Sequence, residues 1–362
     1  MRWSELSRLR ARAVVLAEGK LGELTGKTCN ILVMYSGWRR VTVRAVIDSR
    51  YSGQDAGEVL GVGLRGVKVY GDLETALREC PDIDTLIVGI SPVGGRLPES
   101  YREVIKAAIR NRLNVWSGLH IFLSRDPEIS SLASKYNVEV VDFRLPPPDL
   151  RVWTGEVLRV KAPRVLVAGT DCSVGKNVTC IELTRSLEKA GIEVGLVGTG
   201  QTMLMVGADA GTVVDAVPAD FVSGEVERHV TDLSQLGRQI IVVEGQASLL
   251  HPAYSQVTLG IYYGALPNMV ILCHDPWRAT RESFDNIPMP SLEQEVRAVK
   301  AHLPEANVAA VSVMGYRRSP EDIQEACSKI ERLLGIPAAD PLREPDKLRD
   351  AVLELLEKNK LV

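Results

Sequence analysis

The chain has 362 residues, room for two or three domains, and its 45% hydrophobic and 25% charged residues are the balance of a folded globular protein. A net charge of −3 supplies no basic field for nucleic acid, and no window approaches the roughly 18 apolar residues of a membrane span. Six scattered cysteines without a C-x-x-C pair give neither a disulfide framework nor metal-ligand spacing, so the expectation is a cytoplasmic protein of buried thiols with no bound metal.

In chain order, the first apolar run, Ala13-Val14-Val15-Leu16-Ala17, is too short for a signal peptide and is followed at once by Glu18. Runs at 41–47, 85–90, 113–116 and 138–143 follow, then a second series at 165–168, 194–198, 240–244, 270–273 and 308–313. They are β-branched and continuous rather than alternating, as strands buried on both faces of a parallel sheet are. The stretches 99–112, 177–190 and 292–302 carry helical spacing between them, and 346–358 reads as a terminal amphipathic helix. Strand–helix alternation predicts an α/β protein. The prolines Pro146, Pro147 and Pro148 can sit in neither helix nor central strand, which divides the chain into 1–147, a linker at 148–162, and 163–362.

Gly61-Val62-Gly63-Leu64-Arg65-Gly66 spells the glycine pattern of a dinucleotide fold, but a strand rather than a helix follows it, and it is read as a loop. Gly169-Thr170-Asp171-Cys172-Ser173-Val174-Gly175-Lys176 has the required context, strand before and helix after. Glycines let the backbone wrap a ligand, successive N–H groups and the helix N-terminus present positive potential, and Lys176 adds a full charge, so these residues with Asn177 are the predicted phosphate site. The spelling departs from the usual loop in two places. Thr170 stands where the first glycine is expected, with Gly169 one position earlier, and Asn177 replaces the hydroxyl residue that normally coordinates Mg²⁺. The run Ile240–Glu244 ends in a carboxylate, and strand ends in a parallel sheet face the ligand, so Glu244 is placed at the same site.

The loop resembles that of dethiobiotin synthetase and its ATP-dependent relatives, which share G-T-D-x-x-V-G-K. Farther along, Thr199-Gly200-Gln201-Thr202, the stretch from Asp215 to Glu227, Glu244-Gly245-Gln246 through His251-Pro252, and Cys273-His274-Asp275 resemble a P-loop family long catalogued as a domain of unknown function, which includes the D-glutamate N-acetyltransferases. Gly94-Gly95-Arg96, Ser117-Gly118-Leu119-His120 and Asp142-Phe143-Arg144 extend the resemblance over nearly the whole chain. It implies a Rossmann-like N-terminal domain joined to a P-loop NTPase-like domain with a parallel sheet, assembled as a homo-oligomer. It further implies transfer of acetyl from acetyl-CoA to the amino group of D-glutamate or a related small-molecule amino acid.

Such a reaction needs a proton acceptor, an oxyanion site and a cationic grip on the substrate carboxylates. Glu244, Asp220 and His251 are the catalytic candidates, with a carboxylate preferred as base. Gln201, Glu225, Gln246, Arg278 and Arg281 are the substrate candidates, with Arg96 and Arg144 as further cations and His274 as a strand-end histidine. Cys172 raises the possibility of an acyl-cysteine route. Two alternatives stand beside this reading: an ATP- and Mg²⁺-dependent kinase or carboxylate ligase, and a non-catalytic nucleotide or CoA sensor.

Overall fold

The computed structural model describes residues 6–90 and 97–358. They divide into two compact units, one comprising the described residues up to Pro148 with Gln201–Gly207, the other Asp149–Gly200 with the described residues from Ala208 onward.

The first unit is built on a six-stranded sheet of β1 (Ala11–Leu16), β2 (Val41–Ile47), β3 (Lys68–Tyr70), β4 (Thr85–Val88), β5 (Asn114–Ser117) and β6 (Val140–Asp142), in the order β3-β2-β1-β4-β5-β6. All its pairings are parallel, and the order is that of a Rossmann sheet. The apolar run Ala13–Ala17, weighed in the sequence only as a signal peptide, forms most of central strand β1, and Ala13, Val14 and Val15 are fully buried. A strand covered on both faces needs no alternation, so a short one carries the same composition as a hydrophobic leader. Gly61, Gly63 and Gly66 all take positive φ in a loop, and the element that follows them directly is strand β3 rather than a helix.

The helix Gln201–Val206 belongs to the first unit although the sequence around it belongs to the second. All six of its residues are buried, because Met203, Leu204, Met205 and Val206 leave it no polar face to show to water. Polar contacts fix it there: Thr202 Oγ1 lies 2.8 Å from Thr28 Oγ1, Arg39 Nη1 donates to the Gly207 carbonyl at 3.1 Å, and Arg40 donates to the Leu204 carbonyl.

The second unit carries a seven-stranded sheet of β7 (Arg164–Gly169), β8 (Val194–Gly198), β9 (Ala210–Gly211), β10 (Ile240–Glu244), β11 (Met269–His274), β14 (Asn307–Val313) and β15 (Ala338–Ala339). Its order is β15-β14-β11-β7-β10-β8-β9, every pair parallel, which sets β7 between β10 and β11. A small antiparallel pair, β12 (Thr280–Arg281) and β13 (Phe284–Pro288), follows β11.

The stretch after the prolines lies across the helix Ala219–Gln235 of this unit as a strap. A Cβ on Gly224 would sit 2.0 Å from the Arg151 carbonyl oxygen, so only glycine lets the backbone cross there. Buried Glu227 accepts from Thr154 N at 2.7 Å, Thr154 Oγ1 at 2.9 Å and Val157 N at 3.2 Å. Three donors satisfy a charge that burial would otherwise make costly. No helix among the described residues is long and apolar enough to cross a membrane.

Candidate phosphate-binding site

β7 ends at Gly169, and the helix Lys176–Lys189 begins seven residues later. Ser173 at φ 54° and Gly175 at φ 95° turn the chain back on itself between them. The helix N-terminus has no side-chain cap and no acidic residue in its first turn, so its orphan N–H groups and dipole are directed into the loop. Lys176 is folded over this hollow: Nζ donates to the Asp171 carbonyl at 2.6 Å and to the Ala247 carbonyl at 3.3 Å. A Cβ on Gly169 would lie 2.8 Å from Val174 Cγ2 and 3.0 Å from that Nζ, so the close approach of the loop favours glycine at this position.

Asn177 and Glu244 answer each other directly. Asn177 Nδ2 donates to Glu244 Oε1 at 2.6 Å, while the backbone N–H groups of Thr199 and Gly200 donate to Oε2 at 2.7 and 2.9 Å. The position that holds a hydroxyl in metal-dependent loops thus carries an amide N–H turned to the strand-end carboxylate. Gln246 supports the same corner, its Nε2 donating to the Thr199 carbonyl at 2.8 Å.

Asp171 is fully buried and accepts from Glu282 N at 2.7 Å. Arg281 Nη1 lies 3.4 Å from its Oδ1 and Arg278 Nη1 lies 3.7 Å from its Oδ2. The same arginines grip the loop backbone, Arg281 through the Thr170 carbonyl at 3.2 Å and Arg278 through the Cys172 carbonyl at 2.7 Å. Both therefore brace the phosphate loop.

His251 is buried against Asp171, with Nε2 3.3 Å from Oδ1. Its Nδ1 accepts from the Ala253 N–H at 3.1 Å, so the neutral ring carries its proton on Nε2, facing the carboxylate. Burial lowers its pKa, against the raising effect of Asp171. Ligand atoms of Asp171, Cys172 and His251 lie within 4.8 Å of one another. A cation there would have to strip the proton from Nε2 while Nδ1 is already accepting, and would sit beside two arginines. The arginines and the protonated Nε2, which lies 3.3 Å from Asp171 Oδ1 without forming a hydrogen bond, make this a poor metal site.

The remaining candidates are dispersed. Asp220 is exposed in the first turn of the helix Ala219–Gln235. Glu225 is fully buried, bonded to Arg151 N at 3.2 Å, to Thr212 Oγ1 at 3.2 Å and to Arg228, and so helps hold the strap. Gln201 lies in the first unit, where its Oε1 accepts from Arg144 Nη2 at 2.9 Å, and Arg144 Nε also donates to the Gly118 carbonyl at 3.0 Å. Gly94, Gly95 and Arg96 lie outside the described residues.

One group was not anticipated, and His274, singled out in the sequence as a strand-end histidine, finds a partner. Glu295, buried in a helix that reads as ordinary surface amphipathicity, accepts from the Ser248 hydroxyl, and burial pushes its pKa up to about 7. His274 Nδ1 lies 3.0 Å from Thr170 Oγ1, and burial lowers its pKa to about 4.

Residues 151–349 match the model of a domain of unknown function, the DUF1611_C P-loop domain, and residues 49–146 match the companion DUF1611_N Rossmann-like domain. The chain belongs to this family. Two relatives, each named D-glutamate N-acetyltransferase, come from Pseudoalteromonas sp and Tritonibacter scottomollicae. They are 34% and 32% identical to this chain over 264 residues, which is 72% of the chain and 78% of each relative. A crystal structure of a DUF1611 family protein from Anabaena variabilis matches with a TM-score of 0.88 at 29% identity, covering 95% of this chain and 100% of that one. The DUF1611 pair of domains is thus present here in the same order as the two folded units.

Proposed function

We propose that this protein is an N-acetyltransferase that moves acetyl from acetyl-CoA to the amino group of D-glutamate or a related amino acid. The names of its relatives support the reaction. The geometric observation that carries the reading is the 2.6 Å bond from Asn177 Nδ2 to Glu244 Oε1. It commits to a protein hydrogen bond the two positions that phosphoryl-transfer loops devote to Mg²⁺, and leaves a loop suited to holding a diphosphate that is not cleaved.

In this reading the amine attacks the thioester carbonyl, the N–C bond forms, the C–S bond breaks, and the proton lost by the ammonium balances the one gained by the departing thiolate. In coenzyme A the pantetheine arm separates the diphosphate from the thioester, so groups that touch the diphosphate do not reach the reacting carbon. Glu244 and His251 then act as positioning residues for the loop, and Cys172 is too near the diphosphate to carry the acyl group. Asp220, for which no hydrogen bond or ion pair is seen among the described residues, is our first choice of proton acceptor.

The test is release of free thiol from acetyl-CoA with D-glutamate, L-glutamate and other amino acids as acceptors, and mass detection of the N-acetyl product. Activity is expected to survive EDTA. Lys176→Ala is expected to raise the KM for acetyl-CoA by about 30- to 100-fold, the value of a charge-assisted phosphate contact, with little change in kcat. Absence of thiol release with every amine, together with Mg²⁺-dependent ATP turnover, would move the protein to the kinase or ligase reading.

A further inference from the structure

The second unit holds a cleft of about 420 Å³ lined in part by His274 and Arg278. Both residues touch the phosphate loop, His274 through Thr170 Oγ1 at 3.0 Å and Arg278 through the Cys172 carbonyl at 2.7 Å, so the cleft adjoins the loop. Its apolar lining includes Met289 and Pro290, which follow the small hairpin directly. It also includes Ile330 and Leu333, three residues apart on one face of the helix Pro320–Leu334. Leu333 is 55% exposed, an aliphatic side chain left bare at the mouth. Lys329 stands at the rim, its side chain 63% exposed. It pairs with Glu325 at 2.6 Å, an i,i+4 contact on an open surface that contributes little and is readily exchanged for a stronger anion.

A cleft with aliphatic lining, a lysine on it and a phosphate loop adjoining it suits a purine nucleoside that bears phosphates on both sides of its ribose. We propose that the cleft seats the adenosine end of coenzyme A, with the base between Met289–Pro290 and Ile330–Leu333 and the 3′-phosphate at Lys329. This rests on the coenzyme reading above and adds to it the residue that tells CoA from an ordinary nucleoside diphosphate. The pantetheine arm is the poorer occupant. It must end where protons are exchanged, and away from His274 and Arg278 the cleft is lined chiefly by aliphatic side chains and Lys329. Glu293, the carboxylate lining the cleft, repels a phosphate, so the anion belongs on the Lys329 side.

Isothermal titration with CoA and with dephospho-CoA, which lacks only the 3′-phosphate, tests the assignment. The full chain is expected to bind CoA about fivefold more tightly than dephospho-CoA, the upper range for an exposed ion pair. Lys329→Ala removes that difference and leaves the affinity for dephospho-CoA unchanged. Leu333→Asp, on the exposed face of a helix, weakens both ligands about tenfold through loss of apolar contact with the base. The proposal is overturned if Lys329→Ala keeps the original CoA preference, or if Leu333→Asp changes neither affinity. A chain that binds neither ligand removes the coenzyme reading itself, an outcome separate from both.

Discussion

Replacing Asn177 by Ala isolates the contact on which the functional reading turns. The substitution deletes the 2.6 Å bond to Glu244 Oε1 and leaves in place the Thr199 and Gly200 donors on Oε2. A hydrogen bond to a charged acceptor contributes about 1.5–3 kcal/mol. Alanine returns about 0.5 kcal/mol of helix propensity at this first-turn position. For a unit of this size each kcal/mol shifts the melting temperature by about 2–4 °C. The expected fall is therefore roughly 2–10 °C in a thermal melt without ligand. The same melts with CoA, run in EDTA and in Mg²⁺, read the second consequence. Wild type is expected to gain equal stabilisation from CoA in both buffers, because stabilisation by mass action follows the affinity of the ligand and the Asn177–Glu244 bond leaves no metal for that affinity to depend on. Asn177→Thr restores a hydroxyl and removes the amide bond to Glu244 Oε1, and it is expected to make ATP binding stronger in Mg²⁺ than in EDTA. A wild-type protein whose CoA stabilisation requires Mg²⁺, or an Asn177→Ala variant that melts within 1 °C or so of wild type, would refute the argument.

Gly224→Ala drives a Cβ to 2.0 Å from the Arg151 carbonyl and lifts the strap from Glu227, with an expected cost of about 3 kcal/mol in urea unfolding, and a loss below about 1 kcal/mol would show the strap to be loose. Burial holds His229 neutral, with its pKa lowered to about 3. The unfolded chain takes up that proton near pH 6.5, so the contribution is complete above pH 6.5 and is lost as pH falls toward 3. This amounts to about 2 kcal/mol at pH 5, and His229→Gln is expected to flatten the acid limb of the stability profile. Glu295 acts with the opposite sign: with a folded pKa of about 7, its contribution is complete below the unfolded value near 4.5 and is lost as pH rises through 7. Glu295→Gln is accordingly expected to be about 1–3 kcal/mol more stable than wild type at pH 8 and to lose that advantage at pH 5, and equal stability at both would contradict the burial argument.

The phosphate loop was legible because its geometry is local. Strand, two glycines, lysine and helix are neighbours in the chain, and the helix N-terminus directs the orphan N–H groups without help from elsewhere. The same holds for the alternation of strands and helices along the second unit. Strand β1 was missed because five consecutive apolar residues near an N-terminus have one composition whether they are buried by a sheet or read as a leader. Glu295 was missed because a single acid on an amphipathic helix does not declare which side it faces.

Residue types and their spacing thus settled the fold class, the family and the phosphate loop, each a matter of contacts a few residues apart or of a pattern repeated along the chain. Folding alone decided the rest. It turned Asn177 to Glu244 across 67 residues, drew Arg278 and Arg281 onto a loop more than 100 positions away, and gave Gln201 to the first unit and Glu225 to the strap. Those partners are chosen by the packing of the sheets and by the need of each buried charge for donors, and neither is written in the local order of the residues.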